Sequence, residues 1–183
     1  MLQNFPSTSN QCLDLNTPKK LTLAEFEALP VSEVHKIQRK AIYEVEEFMF
    51  SLPGCYDDDQ MEILGIKPIH RFVNGLYHRE LTIPPNNVVV GKRHGVEHIV
   101  MLIAGECLCF TERGVEYMKA PMTFISPAGE KRIVATQDKS CTWVTLHPTT
   151  KTDLDEIEDE VIIDEPLRMA KYRELQAQKK ELL

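Results

Sequence analysis

The chain has 183 residues, of which 43% are hydrophobic, enough for one well-buried core with terminal segments left over. Its formal net charge of −7 argues against a nucleic-acid-binding domain and against docking on anionic membranes, because both need a basic surface. The N-terminus lacks the basic and apolar regions of a signal peptide, and the five cysteines show no framework spacing, so the sequence predicts a cytoplasmic protein with reduced thiols.

The N-terminal third of the chain is predicted to be an arm followed by helices. Residues 1–20 are rich in Ser, Asn, Thr and Pro and lack periodicity, which predicts an arm that is flexible or ordered by a partner. Thr22 and Glu25 form a capping box ahead of a short helix. A longer helix over 32–51 carries one apolar stripe, which we expect to pack on the outside of the barrel or on a second copy of the chain. The stripe consists of Val34, Ile37, Ala41, Ile42, Val45, Phe48 and Met49, of which Val34, Ile37, Ala41, Val45 and Phe48 are expected to make the contact.

From about Ile69 the pattern changes to short β-rich runs separated by Gly, Pro and Asn turns. Such spacing is typical of an antiparallel sandwich or barrel, and no helical segment long enough for a parallel α/β fold separates the runs. After Pro148 an acidic run at 153–165 is interpreted as a solvated helix face, and a last helix is predicted from Pro166. The predicted fold class is mainly β, an antiparallel jelly roll with N-terminal and C-terminal helices. Its parts are the arm (1–20), a helical N-terminal extension (21–68), a β-barrel (69–148) and a helical C-terminal extension (149–183).

A polar insert, residues 92–98, interrupts strand-like sequence and places His94, Glu97 and His98 between two apolar runs. Read literally, HGVEH matches the inverted zinc-protease motif, which needs a helix to bring both imidazoles to one metal ion. The glycine inside the motif and the β-forming flanks disfavour that helix. The alternative is a bend between two strands, with imidazoles converging at the mouth of a barrel. Gly105 is predicted to turn the following hairpin.

At these residues the chain resembles the cupin superfamily. The span that begins GKRHGVEH is similar to the first cupin motif, with His94 at the place of its second histidine and His98 where the family has glutamate. Lys92 occupies the place of the first histidine. The stretch APMTFISPAGEKRI is similar to the second motif, but Arg132 stands where its metal-binding histidine belongs. GLYHREL and CTWVTLHPTTKTDLDEIE further resemble small single-domain cupins encoded by tailed bacteriophages.

This resemblance implies a cupin-type jelly roll, a double-stranded β-helix over about residues 70–148, with a metal site at its mouth. His147 on the last strand would approach His98 across the ladder, and Glu97 would be a fourth ligand or would orient one. Arg132, if it faces inward, would bind an anionic cofactor or ligand in place of metal chemistry. The implied cofactor is a divalent metal, Zn, Fe, Mn, Ni or Co. The candidate metal ligands are His94, His98, His147 and Glu97.

The sequence leaves three functions open, and with them the question of enzymatic activity. The first is a metal-binding or small-ligand cupin that catalyses a reaction or sequesters a molecule. The second is a noncatalytic assembly module, a homo-oligomer of two or more copies or a virion-associated jelly roll. The third is a phage accessory protein that blocks a host protein, in the host cytoplasm or the virion. Neither nucleic acid nor membrane is an expected partner. Strand alternation alone does not decide whether His78 and Glu80 face the pocket.

Overall fold

The computed structural model describes residues 21–181, and the chain divides at Pro30 into two units, Met1–Pro30 and Val31–Leu183. The arm predicted for residues 1–20 lies outside the described residues. The four-part division predicted from the sequence stays a prediction. The helix that follows Pro30 falls in the same unit as the strands.

In the first unit, α1 (Leu23–Glu27) begins with the predicted capping box. The Thr22 hydroxyl accepts a hydrogen bond from the Glu25 N–H at 3.2 Å, and the Glu25 carboxylate accepts one from the Thr22 N–H at 2.8 Å. Two backbone donors that a first helical turn leaves unpaired are therefore satisfied, and the capping box is confirmed.

The second unit contains the sheets and the remaining helices. Its described helices are α2 (Val31–Ser51), a 3-10 helix (Asp58–Leu64), α3 (Leu154–Val161) and α4 (Pro166–Glu181). No helix within residues 21–181 is both long enough and apolar enough to cross a membrane. Its described strands are β1 (Ile69–Val73), β2 (Leu76–Ile83), β3 (Val88–Val90), β4 (His98–Thr111), β5 (Gly114–Lys119), β6 (Met122–Ser126), β7 (Arg132–Ala135) and β8 (Cys141–Pro148).

Two antiparallel sheets share the long strand β4. Residues 98–105 of β4 pair with β6 and β8, and β8 continues the sheet through β2 to β1. Residues 106–111 of β4 pair with β5 and β7, and β7 pairs with β3. One strand that passes between two sheets in this way closes them around a common interior. The predicted mainly β, antiparallel jelly roll with helices before and after it is confirmed.

The hairpin predicted at Gly105 is wrong, because β4 continues through this residue. Gly105 has φ 75°, and the register of β4 against β8 shifts between Leu102 and Ala104. A β-bulge followed by a left-handed glycine bends a strand sharply without ending it. A Cβ atom at Gly105 would lie 1.8 Å from the Ser140 carbonyl oxygen, so only glycine fits where β4 crosses between the sheets.

Side chains of alternating residues fill the barrel interior. Leu81 on β2, Leu102 on β4 and Trp143 on β8 meet at one level of the core. Cys107 and Cys109, two residues apart on β4, are buried in the same core, which confirms their predicted packing role. Burial raises the pKa of the Cys109 thiol to about 12, so this group stays protonated and unreactive.

The prediction that the apolar stripe of α2 packs on the barrel is wrong for most of the stripe, because Ile42 is the one residue of it that is buried. Ile37 and Val45 remain 40% and 42% exposed, and α2 instead buries Ile42, Glu46 and Phe50. Glu46 is buried because it pairs with two cations, Arg168 on α4 at 2.6 Å and the fully buried Lys131 at 3.2 Å. The ion pairs of Glu46 thus help to determine which face of α2 turns inward. Hydrophobic periodicity alone does not predict this face, because it takes no account of ion pairs.

Candidate metal centre

Three imidazoles meet inside the barrel, from one loop and two neighbouring strands. His98 is the first residue of β4, and His147 lies near the end of β8. Because Ile99 pairs with Leu146 and side chains alternate along each strand, His98 and His147 both project inward, with 3% and 1% exposure. His94 reaches the same place from the polar insert. We call His94, His98 and His147 the histidine cluster.

The C-terminal segment fixes the backbone around His94. The Gly95 N–H donates to the Val161 carbonyl at 2.8 Å, and the Ile163 N–H donates to the Arg93 carbonyl at 2.8 Å. His94 itself forms an isolated antiparallel bridge with Ile162 in the same segment. The polar insert is therefore extended rather than helical, which excludes the protease-type helix and confirms the bend between strands.

Sequence reasoning missed this contribution of the acidic run 153–165. Within it, Ile157 and Val161 are 2% and 4% exposed and pack on Tyr77. Their helical spacing was the available signal, but the surrounding carboxylates favoured a fully solvated face. One side of α3 instead covers the barrel next to the histidine cluster.

The cluster has the dimensions of a metal site. The ring centroids lie 4.3 Å (His94–His98), 4.4 Å (His98–His147) and 4.8 Å (His94–His147) apart. One nitrogen from each ring falls within 4.8 Å of the others. Nitrogens bound to one tetrahedral zinc ion would lie about 3.4 Å apart, so small side-chain rotations close the difference.

The hydrogen bonds of the rings also suit metal binding. Nδ1 of His98 lies 3.1 Å from the Val96 carbonyl oxygen, which can only accept, so Nδ1 carries the proton and Nε2 keeps its lone pair. Within the part of the chain that the structure describes, Nδ1 of His94 and Nδ1 of His147 are buried without a hydrogen-bond partner. Buried polar atoms rarely stay unpaired, and a bound cation would satisfy them.

Burial keeps the cluster neutral. It lowers the pKa of His94 to about 2, assisted by the charges that His98 and His147 would carry, and by Arg132 and Arg79. Burial also lowers the pKa of His147 to about 3 and lowers that of His98. Neutral imidazoles are the metal-binding form, so the cluster is ready for a cation at neutral pH.

Two residues of the polar insert do not join the cluster. Glu97 has an exposed side chain and is outside the group of donors that lie within 4.8 Å of one another among the described residues. Its predicted role as a ligand is corrected for a simple reason: adjacent residues of an extended segment point to opposite sides, and His98 points inward. Lys92 bonds Asp58 at 2.7 Å and Glu158 at 2.6 Å, so carboxylates neutralise the cation that replaces the family's first histidine.

Arg132 faces the interior, as one of the sequence hypotheses required, but it already has partners. Its guanidinium contacts the Ser126 hydroxyl and bonds the Glu130 carboxylate at 2.8 Å. It also lies 5.7 Å and 5.8 Å from the ring centroids of Phe124 and Trp143. Glu130 also bonds Arg113 at 2.9 Å, so it offsets part of the charge of Arg132. Since its guanidinium already has these partners, Arg132 is a poorer anion site than the sequence suggested.

The burial of alternate residues shows which face of β2 turns inward. Tyr77, Leu81 and Ile83 are buried, so the odd-numbered residues of β2 face the interior. His78 and Glu80 face outward, where Arg71 bonds Glu80 at 2.7 Å. Neither residue reaches the cluster. Alternation in the sequence left both faces open because each mixes polar and apolar residues, and packing against the core decided between them.

No family model matches the chain, and no curated protein matches it. Among solved structures, it is similar to a cupin 2 conserved barrel domain protein from Salinispora arenicola, at 13% identity and a TM-score of 0.40, over 45% of this chain and 75% of that one. It is also similar to a cupin domain from Bordetella pertussis, at 18% identity and a TM-score of 0.38, over 46% and 93% of the two chains.

A third similar structure is the DMSP lyase DddQ from Ruegeria pomeroyi, at 16% identity and a TM-score of 0.42. The match covers 49% of this chain and 48% of the lyase, so the chain spans about half of that protein. None of the three is a bacteriophage protein by name, and the predicted phage origin stays a prediction. Similarity at this level concerns the fold only. The metals and substrates of those proteins are not assigned to this chain.

Proposed function

We propose that the chain is a metal-binding barrel that holds one divalent cation with His94, His98 and His147 and presents it to a small molecule. The observation that carries this proposal is the pair of buried, unpartnered Nδ1 atoms on His94 and His147, next to an Nε2 lone pair on His98. Three imidazoles favour a borderline cation such as Zn²⁺, Fe²⁺, Ni²⁺ or Co²⁺ over Mn²⁺. A cation bound there would supply a Lewis-acid centre with open positions.

Metal titration tests this proposal. We expect chelator-treated protein at pH 7 to take up one Zn²⁺ or Co²⁺ per chain, measured by calorimetry and elemental analysis. His98→Ala or His147→Ala removes one of three ligands, so each should weaken binding by more than the ~10–100-fold that losing an outer hydrogen-bond partner costs.

Two variants serve as controls for the metal titration. Cys107→Ala changes a buried potential ligand outside the cluster, and Glu97→Gln changes the exposed carboxylate of the polar insert. Both should bind metal within about twofold of the parent, since neither side chain reaches the cation. Parent protein without stoichiometric metal, or an unchanged affinity in His98→Ala, would contradict the proposal.

A second candidate function, assembly into a homodimer, is favoured by the exposed stripe of α2. Apart from the buried Ile42 and the half-buried Met49, its apolar residues lie at offsets of −7, −4, 0, +4 and +7 from Ala41, a pattern that reads the same in both directions. A two-fold axis at Ala41 would therefore match each stripe to itself, with the small side chain at the closest approach of two antiparallel helices. Lys40 pairs with Glu44 of its own helix at 3.4 Å on the exposed flank of the stripe, and across the two-fold axis it would also come within reach of Glu44 of the partner copy.

Light scattering after gel filtration tests the dimer. Ala41→Glu places two like charges at the two-fold axis, and we expect it to convert a dimer to a monomer. Ala170→Glu, on the exposed face of α4, is the matched control and should keep the parent mass. Lys40→Glu should weaken the dimer, and combining it with Glu44→Lys should restore it. A monomeric parent protein would overturn this candidate.

A further inference from the structure

Arg79 occupies the inward face of β2, one level deeper than the histidine cluster. Tyr77 pairs with His147 across the β2–β8 ladder, and Arg79 pairs with Thr145 in the next inward position. Side chains that share a face lie two residues apart, about 7 Å along the strand. An arginine side chain is long enough to cover that distance, so its guanidinium can reach the space beside the cluster.

The charge of Arg79 has no partner among the described residues. Among residues 21–181, none forms a hydrogen bond or an ion pair with its guanidinium, whereas Arg132 bonds Glu130 and Arg71 bonds Glu80. Arg79 lies one inward position along β2 from Tyr77, which pairs with His147, so its guanidinium is within reach of the cluster. A half-buried cation in this position calls for an anion.

Thr145 supplies a second unused group at the same level. Its side chain is 7% exposed, and within the described part of the chain its Oγ1 is buried without a hydrogen-bond partner. A buried hydroxyl that lacks a partner costs about 1–3 kcal/mol. Arg79 and Thr145, paired on adjacent strands, thus present one charged and one neutral donor to the same interior space.

The donor set of the cluster points to the same requirement. Three neutral imidazoles leave the full charge of a divalent cation uncompensated, and no carboxylate of the described residues joins them. Glu130 offsets only part of the charge of Arg132, because it also bonds Arg113, so the cation, Arg132 and Arg79 would concentrate positive charge in a poorly solvated interior. Such charge is stabilised when an anion binds between its centres.

We propose that the barrel interior binds a small organic carboxylate, with one oxygen facing the cation held by the histidine cluster and the other accepting hydrogen bonds from Arg79 and Thr145. This inference rests on the metal site proposed above. The guanidinium fork and the planar carboxylate are complementary in shape as well as in charge.

The test uses full-length protein loaded with Co²⁺, whose visible absorption reports a change of ligands, and acetate as the probe. We expect acetate to change the spectrum saturably and acetamide, its neutral analogue, to have no effect at the same concentration. Arg79→Gln should raise the acetate Kd at least tenfold while Co²⁺ stays bound, and Arg79→Lys, which keeps the charge but loses the fork, should fall between parent and Arg79→Gln. Thr145→Val removes one of the two donors and should therefore also raise the acetate Kd. The lost hydroxyl is buried and unpaired, so its removal should not destabilise the fold.

Arg71→Gln is the matched control, because Arg71 lies on the neighbouring strand but pairs with Glu80 on the outer face. It should leave the acetate Kd within twofold of the parent. If Arg79→Gln and Arg79→Lys leave the acetate Kd unchanged while Co²⁺ remains bound, the carboxylate site is overturned and the metal site is not. Equal responses to acetate and acetamide would do the same. Parent protein that binds no Co²⁺ would overturn the metal site, and the carboxylate site with it.

Discussion

Gly105→Ala should prevent the two sheets from closing and should destabilise the protein by more than about 4 kcal/mol, well above the effect of most single substitutions. The reason is a fixed collision: the new Cβ would lie 1.8 Å from the Ser140 carbonyl oxygen and 2.8 Å from the Cys141 Cα. Both are backbone atoms of the segment that leads into β8, so no side-chain rotation relieves the contact. Urea unfolding followed by circular dichroism measures the change in the free energy of unfolding.

Gly75→Ala is a closely matched control for that experiment. Gly75 also has positive φ, 80° against 75° at Gly105, but a Cβ there meets nothing within 4 Å. It should cost only the ~1–2 kcal/mol of a left-handed backbone, and the difference between the two variants measures the collision. Equal costs for the two substitutions would show that β4 does not need close backbone approach where it crosses between the sheets.

The metal-free protein should lose several kcal/mol of stability as the pH falls from 6.5 to 5. In the unfolded chain each histidine of the cluster takes up a proton near pH 6.5, whereas burial holds the folded pKa of His94 near 2 and that of His147 near 3. The unfolded state therefore binds more protons in this window, and the free energy of unfolding falls with the pH. Each histidine that stays neutral in the folded protein accounts for about 1.5 kcal/mol of the loss between pH 6.5 and 5. The stability becomes independent of these groups above about pH 7.5, where the unfolded histidines are neutral as well.

Urea unfolding of chelator-treated protein at a series of pH values checks this expectation. His147→Gln should reduce the loss between pH 6.5 and 5 by about 1.5 kcal/mol, because one proton-linked group is gone. A free energy of unfolding that stays constant from pH 6.5 to 5 in the parent would contradict a neutral, buried cluster.

Local pattern was sufficient for much of the fold. Short β-rich runs separated by Gly, Pro and Asn predicted the antiparallel strands, and the Thr22–Glu25 capping box predicted the start of α1. The glycine and β-branched residues around His94 excluded a helix. These features depend on backbone preferences within a few residues, which a sequence states directly.

The candidate site was predicted in part. The resemblance to cupin motifs implied His94, His98 and His147, and the structure brings these residues together. It also implied Glu97, which points outward, and it offered Arg132 for an anion without its partner Glu130. Motif spacing assigns positions along the chain, but the direction of a side chain and the partner it meets depend on segments that are distant in sequence.

The sequence by itself determined the strand content, the capped helix and the presence of histidines where two strands meet. The tertiary structure alone decided which face of β2 turns inward, which face of α2 is buried, that β4 bends at Gly105 instead of ending there, and that residues 161–163 hold His94 in place. In each of these cases, two faces or two backbone conformations have nearly equal free energies as far as local preferences are concerned. Contacts between residues far apart in the chain, such as Glu46 with Lys131 and Gly95 with Val161, supply the free energy that separates them.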